Sequence, residues 1–521
     1  MLARTRNREA GRRASDPRDA LSRWAPRLLP VFVAFYVMLA PILVRGGVVT
    51  GIVGLLALPL LLVAARHIER SILILVALMP FQTVVLSWLY SLGLPAELVA
   101  NLRYWRDLLV VAILIGVLAR RADADQRMDA LDRVAIAYIL VVAAYVALPR
   151  FLAPDAPLRL DTRLSGFRQN AGFLVLFLAV RRAPLDRAFR DRFVRVVLVV
   201  TAIVSAVAIF EFFNSSTFND WMVNRLQVTK YLLEVLNSPV LNPLDIRFYG
   251  DVGDRQIIRV GSVLLSPLTF PFYVVPGFVL GLEHLLRRKR DSLAAVATVL
   301  AGLGIVFSQT RSAVLTAVVA LALALRLDPR SGGERRTRLA ILLGAALIVS
   351  LPIAASIGLV DRVRGGGDSG SATIHRESGE LGWETLAQKP LGLGLGTSAG
   401  VGLRFNQYEI RQIQHNSYLQ IGNETGALSL ALLVAILVLV GMLLREIARS
   451  PGDPLSMAAC CSLAGFAVGS WLLQPFVEPA VAWQYFLVAG VAVAVARRPT
   501  APGDSGAGPI AQTPRPSAAP R

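Results

Sequence analysis

The sequence predicts an all-α integral membrane protein with about fourteen transmembrane helices and a helical external loop over a cavity. Hydrophobic residues make up 55% of the 521 residues, and the mean hydropathy is +0.57. A soluble domain does not have this balance, because its surface must be largely polar. The apolar residues also occur in runs of about 17 to 25, the length of helix that crosses a bilayer.

The predicted spans follow one another along most of the chain. They begin near Leu28, Gly47, Ser71, Asp107, Val134, Asn170, Phe193, Val260, Ser292, Ser312, Leu339, Ala427, Leu455 and Pro479. The run from Leu28 lacks a small-residue cleavage pattern and another span follows it at once, so we interpret it as an uncleaved first span.

The distribution of basic residues predicts the topology. About two thirds of the 54 Lys and Arg residues lie in segments that an internal N-terminus would place on the inner side. The positive-inside rule therefore predicts that both termini are internal. The formal net charge of +19 is spread over separate loops, which indicates topogenic arginines and contact with anionic lipids rather than a nucleic-acid surface.

Two long external connections, residues 214–259 and 361–414, interrupt the series of spans. Connections of this length are usually functional or disordered. In the second, residues 371–388 have the apolar spacing of a helix, and a glycine-rich turn follows at 391–396. Its backbone amides could approach an anion, although alternate glycines are also common in plain loops. The tail at residues 499–521 has the composition of a disordered segment.

The second connection ends in a polar helix. Its sequence is His415-Asn416-Ser417-Tyr418-Leu419-Gln420-Ile421-Gly422-Asn423-Glu424-Thr425-Gly426. Counted from Asn416 to Leu444, this helix would be about 43 Å long at about 1.5 Å per residue, so its polar start should project above the membrane core or line a wet cavity. Helix capping by Asn416 or Ser417 is the alternative explanation. Capping does not explain why polar residues continue further along the helix, at Gln420, Asn423 and Glu424.

Several arginines lie at span ends on the same predicted side. Arg311 occupies a short Gln309-Thr310-Arg311-Ser312 connection, and Arg376 lies in the predicted loop helix. Such an arginine either reaches to lipid headgroups or faces a protein cavity. Arg376 could also belong to a solvated helix face, paired with Glu377 or Glu380.

Three further arginines, Arg163, Arg168 and Arg259, lie near span ends on that side. Topology explains each of them alone more readily than function does.

The segment from His415 to Gln420, followed by Glu424-Thr425-Gly426, resembles the signature of the O-antigen ligase and polymerase family of bacterial membrane glycosyltransferases. Arg311 matches an arginine turn of that family. Arg376, Gly382-Trp383 and Lys389-Pro390, followed by paired glycines, match the order of its external-loop pattern. The resemblance extends over about residues 255–445, and the earlier spans resemble the family only in hydropathy.

The resemblance implies a glycosyltransferase-C-like fold and a metal-independent, inverting transfer without a cofactor. The donor would be an undecaprenyl-pyrophosphate-linked oligosaccharide, and the acceptor a saccharide or a lipid-linked saccharide. His415 would be the base, and Arg311 and Arg376 would contact the pyrophosphate. Arg259, at a span entrance on the same side, is a further candidate for this contact. Asn416, Gln420 and Glu424 would support them. The protein would lie in the bacterial inner membrane with its site on the periplasmic side, together with a flippase and a chain-length regulator.

Three functions compete at this point. A polymerase adds a repeat unit, a ligase transfers to a lipid core or a protein, and a multispan transporter moves the substrate without chemistry. Polar residues concentrate in external loops and at span ends, which favours an enzyme over a transporter, and the span count favours a polymerase.

The predicted division of the chain is a basic tail (1–27), N-terminal spans with the first long loop (28–258), a catalytic core (259–445), C-terminal spans (446–498) and a terminal tail (499–521).

Overall fold

The computed structural model describes residues 59–120, 128–152, 159–236, 249–252, 255–287, 291–327, 369–397, 414–449 and 453–497. These parts of the chain are mostly helical. A short antiparallel hairpin pairs β1 (Tyr249–Val252) with β2 (Arg255–Ile258) inside the first long connection.

Thirteen main helices occur in the described residues. They are α1 (Ile68–Leu78), α2 (Gln82–Ser91), α3 (Trp105–Arg120), α4 (Ala130–Ala147), α5 (Leu160–Val180), α6 (Arg187–Phe213), α7 (Phe270–Arg287), α8 (Ser292–Phe307), α9 (Arg311–Leu327), α10 (Ser369–Gln388), α11 (Ser417–Arg449), α12 (Pro454–Gly469) and α13 (Pro479–Ala496). Short helical segments connect some of them, at Met79–Phe81, Ala96–Leu102, Pro149–Leu152, Ser215–Asp220, Trp221–Arg225, Val228–Lys230, Tyr231–Val235 and Ser262–Leu264.

Five helical segments are long and apolar enough to cross a membrane. They are Ile68–Ser91, α4, α6, α11 and α13, and α8 and α12 are shorter apolar helices. The expectation of a helical, multi-pass membrane protein is therefore confirmed in the described part of the chain. The count of about fourteen spans stays a prediction. The spans expected from Leu28 and Leu339, most of the span expected from Gly47, and the tails at 1–27 and 499–521 lie outside the described residues.

The span expected from Val260 begins ten residues later, at Phe270. The reason is a buried carboxylate on α6. Glu211 is 1% exposed and accepts hydrogen bonds from the amides of Gly261 (3.1 Å) and Ser262 (2.7 Å). These bonds hold the start of the predicted span as a turn, so the helix forms only after it.

One end of the helix bundle is defined by aspartate caps, and we call it the capped end. Four helices start there behind an aspartate whose side chain accepts backbone amides, namely Asp129, Asp186, Asp291 and Asp453. Such caps stabilise a helix N-terminus by about 1 kcal/mol each. Arg190 contacts Asp453 at 3.9 Å and Arg192 contacts Glu69 at 2.9 Å, so segments predicted to share the inner side do lie together.

The opposite end, which we call the site end, is where α11 begins and α12 finishes. The Ser417 amide donates to the carbonyls of Ser470 (3.0 Å) and Leu473 (3.2 Å). The centre of the bundle is α13, in which every residue from Val481 to Val495 is buried. It packs on α5, α12, α7 and α11, and therefore positions the elements that build the site end.

Candidate functional site

The polar segment after His415 is a short buried helix. Although α11 extends from Ser417 to Arg449, it is interrupted at Gly426, whose φ of 82° and ψ of 171° are not helical. We call residues 417–425 the half-helix. All of them are buried. The expectation of one continuous helix was therefore wrong, because the backbone breaks at Gly426, and protein encloses the polar start.

The half-helix is held firmly at its first residues. The Asn416 side-chain oxygen accepts the amides of Tyr418 (2.9 Å) and Leu419 (3.2 Å), so Asn416 is the N-cap. The Tyr418 hydroxyl donates to the carbonyl of Ala467 at 2.9 Å. His415 is half-buried between the buried residues Gln414 and Asn416, directly before the cap.

The break at Gly426 is filled by the glycine-rich turn after α10. The amides of Leu393 and Gly394 donate to the carbonyls of Asn423 (2.6 Å) and Glu424 (3.0 Å), and the Ala427 amide donates to Pro390 at 2.8 Å. A helix end leaves carbonyls and amides without intrahelical partners, and the turn supplies those partners. The half-helix therefore ends inside the protein without a buried backbone penalty.

Two glycines make this fit possible. Gly392 and Gly426 both have positive φ, and a Cβ at Gly426 would lie 2.7 Å from the Pro390 carbonyl oxygen. An anion site at this turn is not supported, because its Leu393 and Gly394 amides are already bonded to Asn423 and Glu424.

A buried carboxylate lies at the end of the half-helix. Glu424 is 0% exposed, and its side chain accepts a hydrogen bond from the Asn170 side-chain amide at 2.7 Å. Asn170 is also 0% exposed, and its carbonyl accepts the Tyr138 hydroxyl at 3.1 Å. The half-helix is thus tied to α5 and α4 through polar contacts in the protein interior.

Gln420 lies one turn before Glu424 and is 0% exposed. Its side-chain oxygen and nitrogen both lack a hydrogen-bond partner among the described residues. A buried amide without partners is costly. The side chain is therefore available for a ligand that brings its own hydroxyl groups.

Arg259 reaches the connection that carries Arg311. Its Nε donates to the Ser308 carbonyl at 3.2 Å, and its terminal nitrogen donates to the Thr310 hydroxyl at 2.9 Å. Thr310 in turn donates to the Pro267 carbonyl at 2.6 Å. Arg311 is exposed at the first position of α9. The segment that carries Arg259 therefore contacts the connection that carries Arg311.

This pair lies at the site end, like His415. Thr316 packs against Gly465 and Gly469, the last turns of α12, and α12 finishes where Ser470 holds Ser417. Arg311 is five residues before Thr316, about 7.5 Å further along α9 at about 1.5 Å per residue. The N-termini of α9 and α11 are thus at the same end of the bundle.

Arg376 is placed differently. It is 74% exposed on α10 and its Nε lies 3.7 Å from Glu380 Oε1, as in a solvated helix face. α10 packs on the half-helix through Leu386 against Gly422, and its Gly382 lies against Gln414, just before the half-helix. Arg376 precedes Gly382 by six residues, so it lies about 9 Å beyond that contact. The structure does not bring it to the buried part of the site.

The comparison with known families addresses this same region. Residues 296–434 match the family model described as O-antigen ligase. This match confirms the resemblance seen in the sequence motifs, and it includes Arg311, Arg376 and the half-helix but not Arg259. The protein is therefore a multi-pass membrane protein in which residues 296–434 are similar to the O-antigen ligase family, and this similarity supports a role as a membrane enzyme of polysaccharide assembly. No curated protein matches the chain.

Sequence reasoning missed two groups near this site. Asn170 was noted only as the start of an apolar run, and its partner Glu424 is 254 positions away. Arg106 and Trp483, which contact each other at 5.5 Å, were not considered. A polar residue inside an apolar run is a usable signal, because intramembrane polar groups need partners, but it does not identify the partner.

Proposed function

We propose that the protein transfers an oligosaccharide from undecaprenyl pyrophosphate to a hydroxyl group of an acceptor saccharide, on the external face of the bacterial inner membrane. The observation that carries this proposal is the meeting of Arg259 with the Thr310-Arg311 connection at the end of the bundle that also holds His415. A base and two cations at one end suit a reaction that removes a proton and releases a pyrophosphate.

In the proposed step, the neutral imidazole of His415 accepts the proton of the acceptor hydroxyl. The oxygen attacks the anomeric carbon, the bond from that carbon to the pyrophosphate oxygen breaks, and the configuration inverts. Negative charge develops on the leaving pyrophosphate, which the guanidinium groups of Arg259 and Arg311 stabilise without a metal ion. The proton later leaves His415 to water.

The buried polar groups have supporting roles in this scheme. Asn416 fixes the backbone beside His415 by capping the half-helix. Gln420 offers a donor and an acceptor to sugar hydroxyls, and Glu424, held by Asn170, fixes the end of the half-helix. Arg376 is proposed to contact the donor only at the outer edge of the site, because it is exposed.

The test is the His415→Ala variant. If His415 is the base, turnover of the lipid-linked oligosaccharide falls by about 10² to 10⁴ at matched protein level in membranes. His415→Gln is expected to be no better, because an amide does not take up the proton. The control is His67→Ala, since His67 is exposed at the capped end beside Glu69. Near-normal turnover in His415→Ala would overturn the assignment.

One observation favours a transporter as the second candidate. Transporters often bind substrates at interrupted helices with buried ionisable groups, and α11 is interrupted at Gly426 beside Glu424. However, the carbonyls of Asn423 and Glu424 at the break are occupied by amides of the turn. Proteoliposomes loaded on one side with lipid-linked oligosaccharide separate the two functions, since a transporter moves the substrate intact and the enzyme changes its length.

Within the enzyme class, we favour a polymerase over a ligase. A polymerase would depend on a flippase for delivery of its lipid-linked substrates and on a chain-length regulator. A ligase instead takes a lipid core or a protein as acceptor. The two differ in whether the acceptor also carries a lipid pyrophosphate.

A further inference from the structure

A second cluster of arginines lies at the site end and takes no part in the proposed transfer step. It comprises Arg103, two residues before α3 begins, Arg106 in the first turn of α3, and Arg168 in α5. Within the described residues, the carboxylate that pairs with this cluster is Asp107, which lies 3.3 Å from Arg168 with 2% of its side chain exposed. We call these four residues the arginine cluster. Arg168 and Arg103 are close enough to Arg106 for like-charge repulsion, and Asp107 offsets part of that repulsion.

Aromatic rings hold the guanidinium groups of this cluster in place. Arg106 lies over the Trp483 ring at 5.5 Å from its centroid. Arg103 and Arg168 both lie over the Tyr104 ring, at 4.8 Å and 5.6 Å. Cation–π contacts of this kind orient a guanidinium group and leave its outer edge free to donate hydrogen bonds.

The cluster has an excess of positive charge and of hydrogen-bond donors. In the part of the chain that the structure describes, three guanidinium groups accompany the Asp107 carboxylate. The Nε atoms of Arg103 and Arg106 and the Nε1 atom of Trp483 are enclosed without an acceptor among the described residues. Such groups are costly unless an anion or water satisfies them. Arg103 and Arg106 are both only half-buried, and one terminal nitrogen of Arg103 donates to the Tyr104 hydroxyl at 2.6 Å.

The cluster lies beside the half-helix but on the other side of α5. Gly166 and Asn170 of α5 contact the glycine-rich turn and Glu424, respectively. Arg168 is two residues from Asn170, which is about 200° around a helix. Helix α5 therefore separates the two polar regions, and both lie at the same end of the bundle.

We propose that the arginine cluster binds the pyrophosphate of a second polyprenyl-linked saccharide, the acceptor. This inference rests on the proposed transferase function. The donor pyrophosphate is assigned to Arg259 and Arg311, and a polymerase acceptor brings a second pyrophosphate that is not cleaved. Paired guanidinium groups suit it because each donates bidentately to phosphate oxygens. A ligase acting on a lipid core or a protein has no need of this second site.

The experiment measures binding of undecaprenyl pyrophosphate without saccharide to the full-length protein in phosphatidylcholine nanodiscs. Wild-type protein is expected to bind two equivalents. Arg106→Gln with Arg168→Gln should bind one, with the affinity of the lost site reduced on the order of tenfold to a hundredfold. Arg192→Gln at the capped end is the matched control and should bind two. One equivalent in wild type, or two equal equivalents in the double variant, would overturn the proposal.

A phospholipid headgroup has the same phosphate chemistry, so a second arm uses nanodiscs containing phosphatidylglycerol. If the cluster binds phospholipid, this lipid displaces one equivalent of the probe, and the proposal is overturned. Unchanged stoichiometry supports it. Asp107→Asn keeps all three arginines and removes the competing carboxylate, so it should bind the second equivalent severalfold more tightly. Unchanged or weaker binding there would count against the proposal even if the double variant does not fold.

A kinetic readout separates this inference from the proposed transfer chemistry. Arg168→Gln should raise KM for the lipid-linked acceptor while binding of the donor stays unchanged. If His415→Ala retains turnover and the wild-type protein binds two equivalents of undecaprenyl pyrophosphate, the assignment of His415 as the base fails and the proposal for the arginine cluster stands. If His415→Ala loses turnover and only one equivalent binds to wild type, the transferase stands and the second site fails.

Discussion

The two ends of the bundle use arginine in different ways. At the capped end, Arg181 is 0% exposed and contacts Asp129 at 2.5 Å and Asp132 at 3.2 Å. Arg182 also contacts Asp132, and Arg497 contacts Asp129 at 2.6 Å. Each guanidinium group in this network contacts a carboxylate. The network connects the start of α4, the end of α5 and the end of α13.

At the site end, several of the arginine contacts are to neutral groups, although Arg168 pairs with Asp107. Arg259 donates to a carbonyl and a hydroxyl, and Arg103 and Arg106 lie over aromatic rings. Arginines paired with carboxylates fasten helices to one another, whereas the three guanidinium groups around Tyr104 and Trp483 outnumber the Asp107 carboxylate beside them among the described residues, which suits an anion. Substitutions of arginines at the two ends therefore compare a loss of stability with a loss of transfer activity.

The largest effect is expected at the capped end, from Arg181→Ala. This change leaves Asp132, which is 1% exposed, with one fewer cation inside the protein. Removing one partner of a buried pair costs about 3 to 5 kcal/mol, so the amount of folded protein in the membrane should fall. Thermal unfolding in detergent checks the loss. If the variant is folded and stable but does not transfer, the comparison of the two ends is wrong.

A smaller loss is expected from Gly426→Ala at the site end. The substitution places a Cβ 2.7 Å from the Pro390 carbonyl oxygen and forces alanine into a positive φ. Backbone strain of this kind costs about 1 to 3 kcal/mol. The turn should move away from the half-helix and transfer should fall, while Gly379→Ala on α10, where a Cβ meets open space, is the control. Limited proteolysis near Pro390 reports the displacement, and equal cleavage of both variants would argue against it.

Arg311→Lys should lower transfer about tenfold to a hundredfold with unchanged stability, because an ammonium group lacks the bidentate fork. Arg376→Lys should have a smaller effect, since Arg376 is 74% exposed and lies beyond the contact of α10 with Gln414. Steady-state turnover at matched protein level compares them. An equal loss in both variants would place Arg376 in the donor site, and no loss in either would make both arginines topological.

The smallest effect concerns Asp129 and pH. Burial by itself would raise its pKa, but the Asp132 amide and the guanidinium groups of Arg181 and Arg497 lower it to about 2. A depressed carboxyl pKa adds stability above the unfolded value of about 4, and this is lost as the pH falls toward 2. Because Asp129 is 39% exposed, the change should stay under about 1 kcal/mol. The midpoint of thermal unfolding between pH 5 and 2 should fall more in wild type than in Asp129→Asn, and equal slopes would contradict the assignment.

Some of the site followed from local sequence. Asn416 was recognised as a possible cap, and it is one, because a cap depends only on residues two and three positions further along. The helix expected at residues 371–388 forms as α10, which ends where Lys389 and Pro390 follow. These features are decided within one or two helical turns.

Hydropathy and the His415 signature by themselves determined the membrane class and the family resemblance, since both depend on residue types and spacing along the chain. Tertiary structure decided the rest. The break at Gly426 depends on a turn more than 30 positions earlier, and Asn170 meets Glu424 from 254 positions away. A glycine such as Gly426 is compatible with a continuous helix, so the break becomes evident only from the contact with the glycine-rich turn after α10. Likewise, the role of an arginine at a span end depends on which group packs against it. That group is distant in sequence, so the local sequence does not identify it.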